Sequence, residues 1–372
     1  MQLCLHSTYK KSRSLILLLL LYLLFINGIV HQTGIITINE AEKYISAAKS
    51  LYKGNFTDAF SGLQFYTSYI LFLSVFYLPG NVVIVVAAQA LLSFTASIYL
   101  RSIVELLTKD KFVSIIGQCL FLFAFPIQSW TTTLFSDSFF ISVSTITLYY
   151  TLKEKTKKDT ILWFMFNLVL VFARPPGIFF VLPSIIFYLH QTRWLTAKSA
   201  IVLFLVSFTL IIFCIFHLPA ETKGYIRPIA AGRVIVDSND YTLPDFTTNN
   251  KSTLADAYSY LYNKKDIPFL INLYTKKVLS FFKLTRPYYS KTHNFLLHSF
   301  YFLYLFAFTG LISCWNKGNK SVSILAITIL LGIINIVALT YNEWHYRFTV
   351  TIFPILIVFS MISIAIIRKR FA

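Results

Sequence analysis

Residues 64–79 read QFYTSYILFLSVFYLP and run into the break Pro79-Gly80. The run is apolar, yet short for the roughly 20 residues that a perpendicular membrane helix needs. Whether it crosses decides the side on which every later segment lies. Around it are further apolar runs at about 14–33, 82–106, 112–126, 134–152, 159–173, 177–190, 198–217, 295–313, 321–341 and 348–367. Lys and Arg gather at 10–13, 101–111, 153–158, 193–198, 317–320 and 368–370, which hold 17 of the 33 basic residues. The short loops facing the other way hold five: Lys43, Lys49, Lys53, Arg174 and Arg347. Cytoplasmic loops carry the basic excess, and the alternation survives only if 64–79 does not cross. Counted as a span, it would put the cluster Lys153 to Lys158 outside. The expectation is an all-α integral membrane protein with about ten transmembrane helices, both termini cytoplasmic, and 64–79 a surface-lying or re-entrant segment.

Composition agrees. With 56% hydrophobic and 13% charged residues, the 372-residue chain is not an ordinary soluble protein. Its formal charge of +18 is mostly cytoplasmic anchoring, which argues against a nucleic-acid partner. Three parts are expected: an N-terminal transmembrane module at 1–217, an extracytoplasmic loop at 218–294, and C-terminal transmembrane helices at 295–372. The loop holds 11 basic residues against Glu221, Asp237, Asp240, Asp245, Asp256 and Asp266. That excess suits anionic headgroups, a phosphate-bearing substrate, or simply a surface near a negative membrane. The loop carries polar turns at 237–240 and 247–250, then a helical stretch from about Thr253. Its last part, 267–282, reads as an interfacial helix with Leu270, Leu273, Tyr274, Lys276, Lys277 and Phe281. The four cysteines avoid the loop, so no disulfide framework holds it, and no zinc spacing exists. Lys10-Lys11-Ser12-Arg13 before the first apolar run reads as an uncleaved first span, since no small-x-small cleavage site follows. There are no internal repeats, P-loop, GxGxxG, HExxH or GxSxG motifs.

The outer face gathers a short list of residues that could carry chemistry: Glu40, Glu42, Asp58, Asp137, Arg174, Arg286, Glu343, His345 and Arg347. Asn39–Gly54 reads as an amphipathic surface helix with a stripe of Ala41, Tyr44, Ile45, Ala48 and Tyr52. Asn39 and Glu42 have capping-box spacing, which accounts for Glu42 and leaves Glu40 with only a dipole role or a chemical one. Asp137, in Phe135-Ser136-Asp137-Ser138-Phe139, opens an apolar span. It is a functional intramembrane acid or a dipole partner with Ser136 as cap. Arg174, before Pro175-Pro176, either grips an anion or snorkels to the interface. Glu343-Trp344-His345-Tyr346-Arg347 concentrates an acid, an imidazole and a guanidinium in one short loop.

The pattern Glu40-x-x-x-Tyr44-x-x-x-Ala48-x-x-Leu51-x-x-Gly54 after a first span resembles the first outer loop of GT-C fold glycosyltransferases. This group includes the lipid A aminoarabinose transferase and the protein O-mannosyltransferases. Phe135–Phe139 resembles that family's acidic motif opening a later span. Phe172-Ala173-Arg174-Pro175-Pro176-Gly177 resembles its Arg-Pro-Thr-Gly turn, and Tyr346-Arg347-Phe348 before Pro354 its closing element. The non-crossing segment at 64–79 is similar to the family's juxtamembrane pair. The likeness covers most of 14–190 and 265–367. Two departures stand out: Glu replaces the family's Asp at 40, and Gly62-Leu63-Gln64-Phe65 stands where Pro-Pro-Leu is usual.

The resemblance implies a transfer of sugar from a polyprenyl-phosphate donor to a lipid, glycan or protein hydroxyl, with inversion, at the extracytoplasmic face. Glu40 and Asp137 would be catalytic; Tyr44, Arg174, Arg286, His345 and Arg347 would bind substrate. The resemblance fixes no cofactor and leaves room for a divalent metal. The location expected is a bacterial inner membrane; the sequons Asn55-Phe56-Thr57 and Asn250-Lys251-Ser252 arise readily by chance. Rival readings are a lipid-linked oligosaccharide ligase or polymerase, a lipid transporter or flippase, and an inactive assembly subunit.

Overall fold

A computed structural model describes residues 2–77, 80–154, 156–217, 223–235, 246, 252–340 and 345–371. Glu343 and Trp344, the turns at 237–240 and 247–250, the Asn250 sequon and Glu221, Asp237, Asp240 and Asp245 lie outside them. The chain forms two compact units, 1–174 with 364–372, and 175–363. Among the described residues there is no β-strand beyond one isolated bridge, Ile36 with Thr133.

The first unit holds α1 (Gln2–Thr33), α2 (Glu40–Tyr52), α3 (Phe56–Phe60), α4 (Thr67–Phe76), α5 (Val82–Thr108), α6 (Lys111–Phe123), α7 (Phe125–Gln128), α8 (Ser136–Leu152) and α9 (Lys157–Val171). Helix α5 is its spine and packs against α6, α8, α1 and α4. It starts at Asn81, whose side chain accepts from Val83 N, and stops at Lys109, which turns left-handed at φ 56°. Asp110 then caps α6 through Phe112 N and Val113 N. Thr156 and Asp159 form a reciprocal capping box at α9. Helix α8 is buried on nearly every side in spite of its Ser and Thr content. Five of those hydroxyls, at Ser144, Thr145, Thr147, Thr151 and Ser138, are bonded to a carbonyl or a neighbouring hydroxyl, which is how an apolar medium tolerates them.

The second unit holds α10 (Ile178–Gln191), α11 (Ala197–His217), α12 (Lys223–Ala230), α13 (Leu254–Lys264), α14 (Ile267–Phe282), α15 (Lys291–His298), α16 (Phe302–Asn316), α17 (Lys320–Leu339) and α18 (Phe353–Phe371), the last passing into the first unit at Ile364. Helix α17 packs on α10, α14 and α16. Gly332 lets it approach Phe179 of α10, where an added Cβ would lie 2.8 Å from the Phe179 Cβ. Capping boxes and caps again mark the starts: Thr253 with Asp256 at α13, and Asp266, followed by Pro268, at α14.

Six segments are long and apolar enough to cross a membrane: Ser14–Thr33, Val82–Thr108, Ala197–His217, Lys291–Asn316, Lys320–Leu339 and Thr349–Phe371. Four more of the expected spans appear as helices of 13, 17, 15 and 14 residues (α6, α8, α9 and α10). At 1.5 Å per residue they rise about 20–25 Å, less than a hydrocarbon core of about 30 Å. The 64–79 run yields a 3₁₀ turn and then α4, ten residues long, about 15 Å.

Three local expectations are corrected. Asn39 sits at φ 60°, ψ −121°, and its side chain caps nothing, so the Asn39/Glu42 capping box does not form; a capping side chain needs an extended backbone at that position. Tyr52 is exposed, and the buried face of α2 is Ala41, Tyr44, Ala47 and Ala48. Lys277, read as an interfacial charge, is wholly buried and donates to the Thr340 carbonyl after α17.

Candidate active site at the starts of α2 and α8

The isolated bridge builds this site. Ile36 N donates to Thr132 O at 3.1 Å, and Leu134 N donates to Ile36 O at 3.0 Å, in parallel register. From this clip both chains run directly into helices. Glu40 opens α2 four residues after Ile36, and Asp137 enters the first turn of α8 four residues after Thr133. Two acidic helix starts, about 100 residues apart in sequence, therefore leave one bridge side by side. Each carboxylate also faces the positive end of its own helix.

Gln89 fixes the clip from below. Its Nε2 donates to Thr131 O at 2.8 Å and to Thr133 O at 3.2 Å, while its Oε1 accepts from the Tyr69 hydroxyl at 3.1 Å. The Tyr69 ring meets Tyr44 of α2 edge-on at 5.3 Å and Phe139 of α8 at 5.8 Å. Gln128 extends the network. It accepts from Tyr22 at 2.7 Å and from Thr131 at 3.0 Å, and donates to Phe121 O at 2.9 Å. Ser68 N donates to Phe172 O at 2.9 Å, drawing the 172–174 turn to the same end.

Glu40 is partly exposed. Lys43 Nζ lies 3.4 Å from its Oε1, and the Tyr44 hydroxyl donates to Oε2 at 3.4 Å. Lys43 also lies over the Tyr44 and Tyr66 rings at 5.1 and 5.5 Å. Tyr44 itself is a core residue with no exposure, so it reaches a substrate only through Glu40. Glu42 is exposed; Asp58 is exposed and accepts from the Asn55 side chain. Asp137 and Arg174 form an ion pair enclosed by protein, with side-chain exposures of 0% and 2%, and the guanidinium lies over Phe140. The snorkelling reading of Arg174 is thus corrected, as is the reading of Ser136 as cap: α8 starts inside a buried loop, and the Ser136 hydroxyl is buried without a partner among the described residues.

The second unit has its own polar cluster. Tyr289 stacks between His293 at 4.5 Å and His345 at 5.6 Å, and its hydroxyl is hydrogen-bonded to His345 Nδ1 at 2.7 Å. Burial, helped by the nearby His293 and Arg286, pulls the His345 imidazole down to about 4, so it is neutral at pH 7. Arg286 is buried, and its guanidinium donates to the Lys283, Thr285 and Ser280 carbonyls at the end of α14. It closes a helix, in place of the phosphate clamp expected from sequence. Arg347 is also buried, at 4% exposure. An apolar cavity of about 430 Å³ lies among α14, α16, α17 and α18, lined by Phe282, Tyr304, Phe308, Leu330 and Phe359 among others.

No protein-family model, curated protein or solved structure matches the chain. Sequence reading missed Gln89, Gln128, Tyr69, His293 and the partnership of Lys43 with Glu40. One signal was available: Gln89, Ser93 and Ser97 recur every four residues inside an apolar span, a polar stripe that must meet partners.

Proposed function

We propose that this protein is a membrane glycosyltransferase. It moves a sugar from a polyprenyl-phosphate donor to an acceptor hydroxyl on the extracytoplasmic face, with inversion, in a bacterial inner membrane. The reading rests on the bridge Ile36–Thr133, which sets a reachable carboxylate, Glu40, beside a second acidic helix start. Glu40 takes the proton from the acceptor hydroxyl, whose oxygen bonds to the anomeric carbon as the bond from that carbon to the phosphate oxygen breaks. Polyprenyl phosphate leaves with the electron pair. Lys43, 3.4 Å from Glu40 and about two-fifths exposed, brings a cation to the developing phosphate charge. Asp137 is enclosed with Arg174, so its part is to hold the α8 start rather than to meet the acceptor. Among the described residues no three His, Cys, Asp or Glu side chains gather as a metal site.

Ten crossings complete the proposal. The four short helices are continued by further, mostly buried backbone: α6 by the short α7, α8 by the preceding buried residues 130–134, α9 by the buried Ala173 and Arg174, and α10 by the preceding 3₁₀ turn. Such backbone is tolerated at membrane depth where protein encloses it.

Turnover of a panel of polyprenyl-phosphate sugars by purified protein is the test. Glu40→Gln should lower it by about 10²–10⁴ with folding intact. Glu40→Asp should keep measurable activity, and Glu42→Gln should match wild type. Equal turnover in wild type and Glu40→Gln refutes the base; release of no lipid phosphate from any donor transfers the weight to a lipid transporter.

A further inference from the structure

At the opposite end of α5 from Gln89 lies a second concavity, which the sugar-transfer reading does not use. It has a volume of about 440 Å³ and is lined by Ser102, Glu105, Lys109, Lys111, Tyr149 and Lys153, with Leu106 at its edge. Lys109 is 20 residues beyond Gln89, about 30 Å along the helix, one hydrocarbon thickness. The two sites therefore lie at the two faces of the bilayer. Positive-inside bias explains why basic residues gather at this end; it does not explain why three of them line one hollow. The hollow comes from a specific junction. Lys109 adopts the left-handed conformation that ends α5, Lys111 begins α6, and Lys153 follows α8.

Neighbouring carboxylates neutralise it only in part, at Lys153, and leave Lys109 and Lys111 open. Asp110 points to Arg368, whose Nη1 contacts both its oxygens at 2.7 and 2.8 Å. Asp159 binds Lys153 at 2.9 Å and completes the α9 capping box. Of the lining residues only Glu105 is acidic, against three lysines. Lys109 and Lys111 are exposed, and the Lys153 ammonium also lies 5.8 Å from the Tyr149 ring. Flexible ammonium groups and a phenol around a hollow at headgroup depth match a phosphate ester.

We propose that this pocket binds the phosphate of an anionic phospholipid in the cytoplasmic leaflet. The site is independent of the glycosyltransferase reading and stands or falls without it. The test is native mass spectrometry of the full chain, released from nanodiscs holding phosphatidylcholine with a minor share of phosphatidic acid. Wild type should retain one phosphatidic acid in preference to phosphatidylcholine. Lys109→Asn/Lys111→Gln should lower that retention by about tenfold or more; Asn is chosen because it tolerates the left-handed position. Lys109→Arg/Lys111→Arg should retain it. The control Lys157→Gln/Lys158→Gln, on the same face but outside the pocket, should stay within about twofold of wild type, as expected for charges that do not touch the ligand. Retention in the first variant equal to wild type overturns the proposal, and so does an equal loss in the control, which would mean diffuse attraction. Glycerol 3-phosphate at millimolar concentration separates the sources: no displacement identifies a lipid phosphate, while displacement assigns the same pocket to a soluble phosphate ester.

Discussion

Asp137 and Arg174 meet inside protein, with almost no exposure, so each offsets part of the other's burial cost. Removing one charge takes that compensation from the other, which costs about 3–5 kcal/mol for a buried pair. Asp137→Asn should therefore lower the unfolding midpoint in detergent sharply, and Asp137→Asn/Arg174→Met should recover much of the loss. A single variant as stable as wild type would mean that the pair contributes nothing. His345 makes a second prediction, this time of pH dependence. Its folded pKa lies near 4, below the ordinary value near 6.5, so the unfolded chain takes up the proton first. Stability should be complete above about pH 6.5 and fall as pH drops towards 4. His345→Gln should flatten that part of the profile in thermal unfolding. An unchanged slope in the variant would assign the effect to other groups.

Helix contacts decide the next scale. Gly310 of α16 faces the backbone of α18, where an added Cβ would overlap the Phe359 carbonyl and crowd the Ser363 hydroxyl at 3.1 Å. Ala is favoured over Gly inside a helix by about 1 kcal/mol, but here the rigid carbonyl cannot yield. Gly310→Ala should destabilise by about 1–3 kcal/mol. Gly28→Ala, with nothing within 4 Å of its Cβ, should be neutral or slightly stabilising. Thermal unfolding of the two variants side by side checks the sign, and a stable Gly310→Ala protein would mean that α16 and α18 move apart freely. Helix starts at α6, α9, α13 and α14 follow from Asp or Thr caps visible in the chain. The start of α2 does not, because Asn39 stands at φ 60° and its side chain caps nothing.

The topology is the prediction for the whole molecule. With the native cysteines replaced, Lys53→Cys should react with an impermeant maleimide from outside, and Lys157→Cys only after permeabilisation. Labelling of position 157 in intact cells would turn the 64–79 segment into a true span and remove the charge argument for ten crossings. Six helices are long and apolar enough to cross by themselves; the four further crossings of the proposed topology would depend on irregular backbone that only a surrounding bundle makes tolerable.

Membrane residence, helical class and the positions of most helices were legible in the chain, because apolar length and charge bias act locally and survive any packing. Glu40, Asp137 and Arg174 were legible as rare charges among apolar runs. Their relations were not. Glu40 with Lys43 and Arg286 with the end of α14 are local contacts that spacing permits without singling out, whereas the pairing of Asp137 with Arg174 and the reach of Lys277 to the Thr340 carbonyl are outcomes of contacts between distant segments. The same holds for the bridge from Ile36 to Thr133, which joins two stretches of ordinary polarity and leaves no periodic signal. Periodicity reports which face of a helix is apolar; only tertiary packing decides which charge on the polar face finds a partner and which stays open to a substrate.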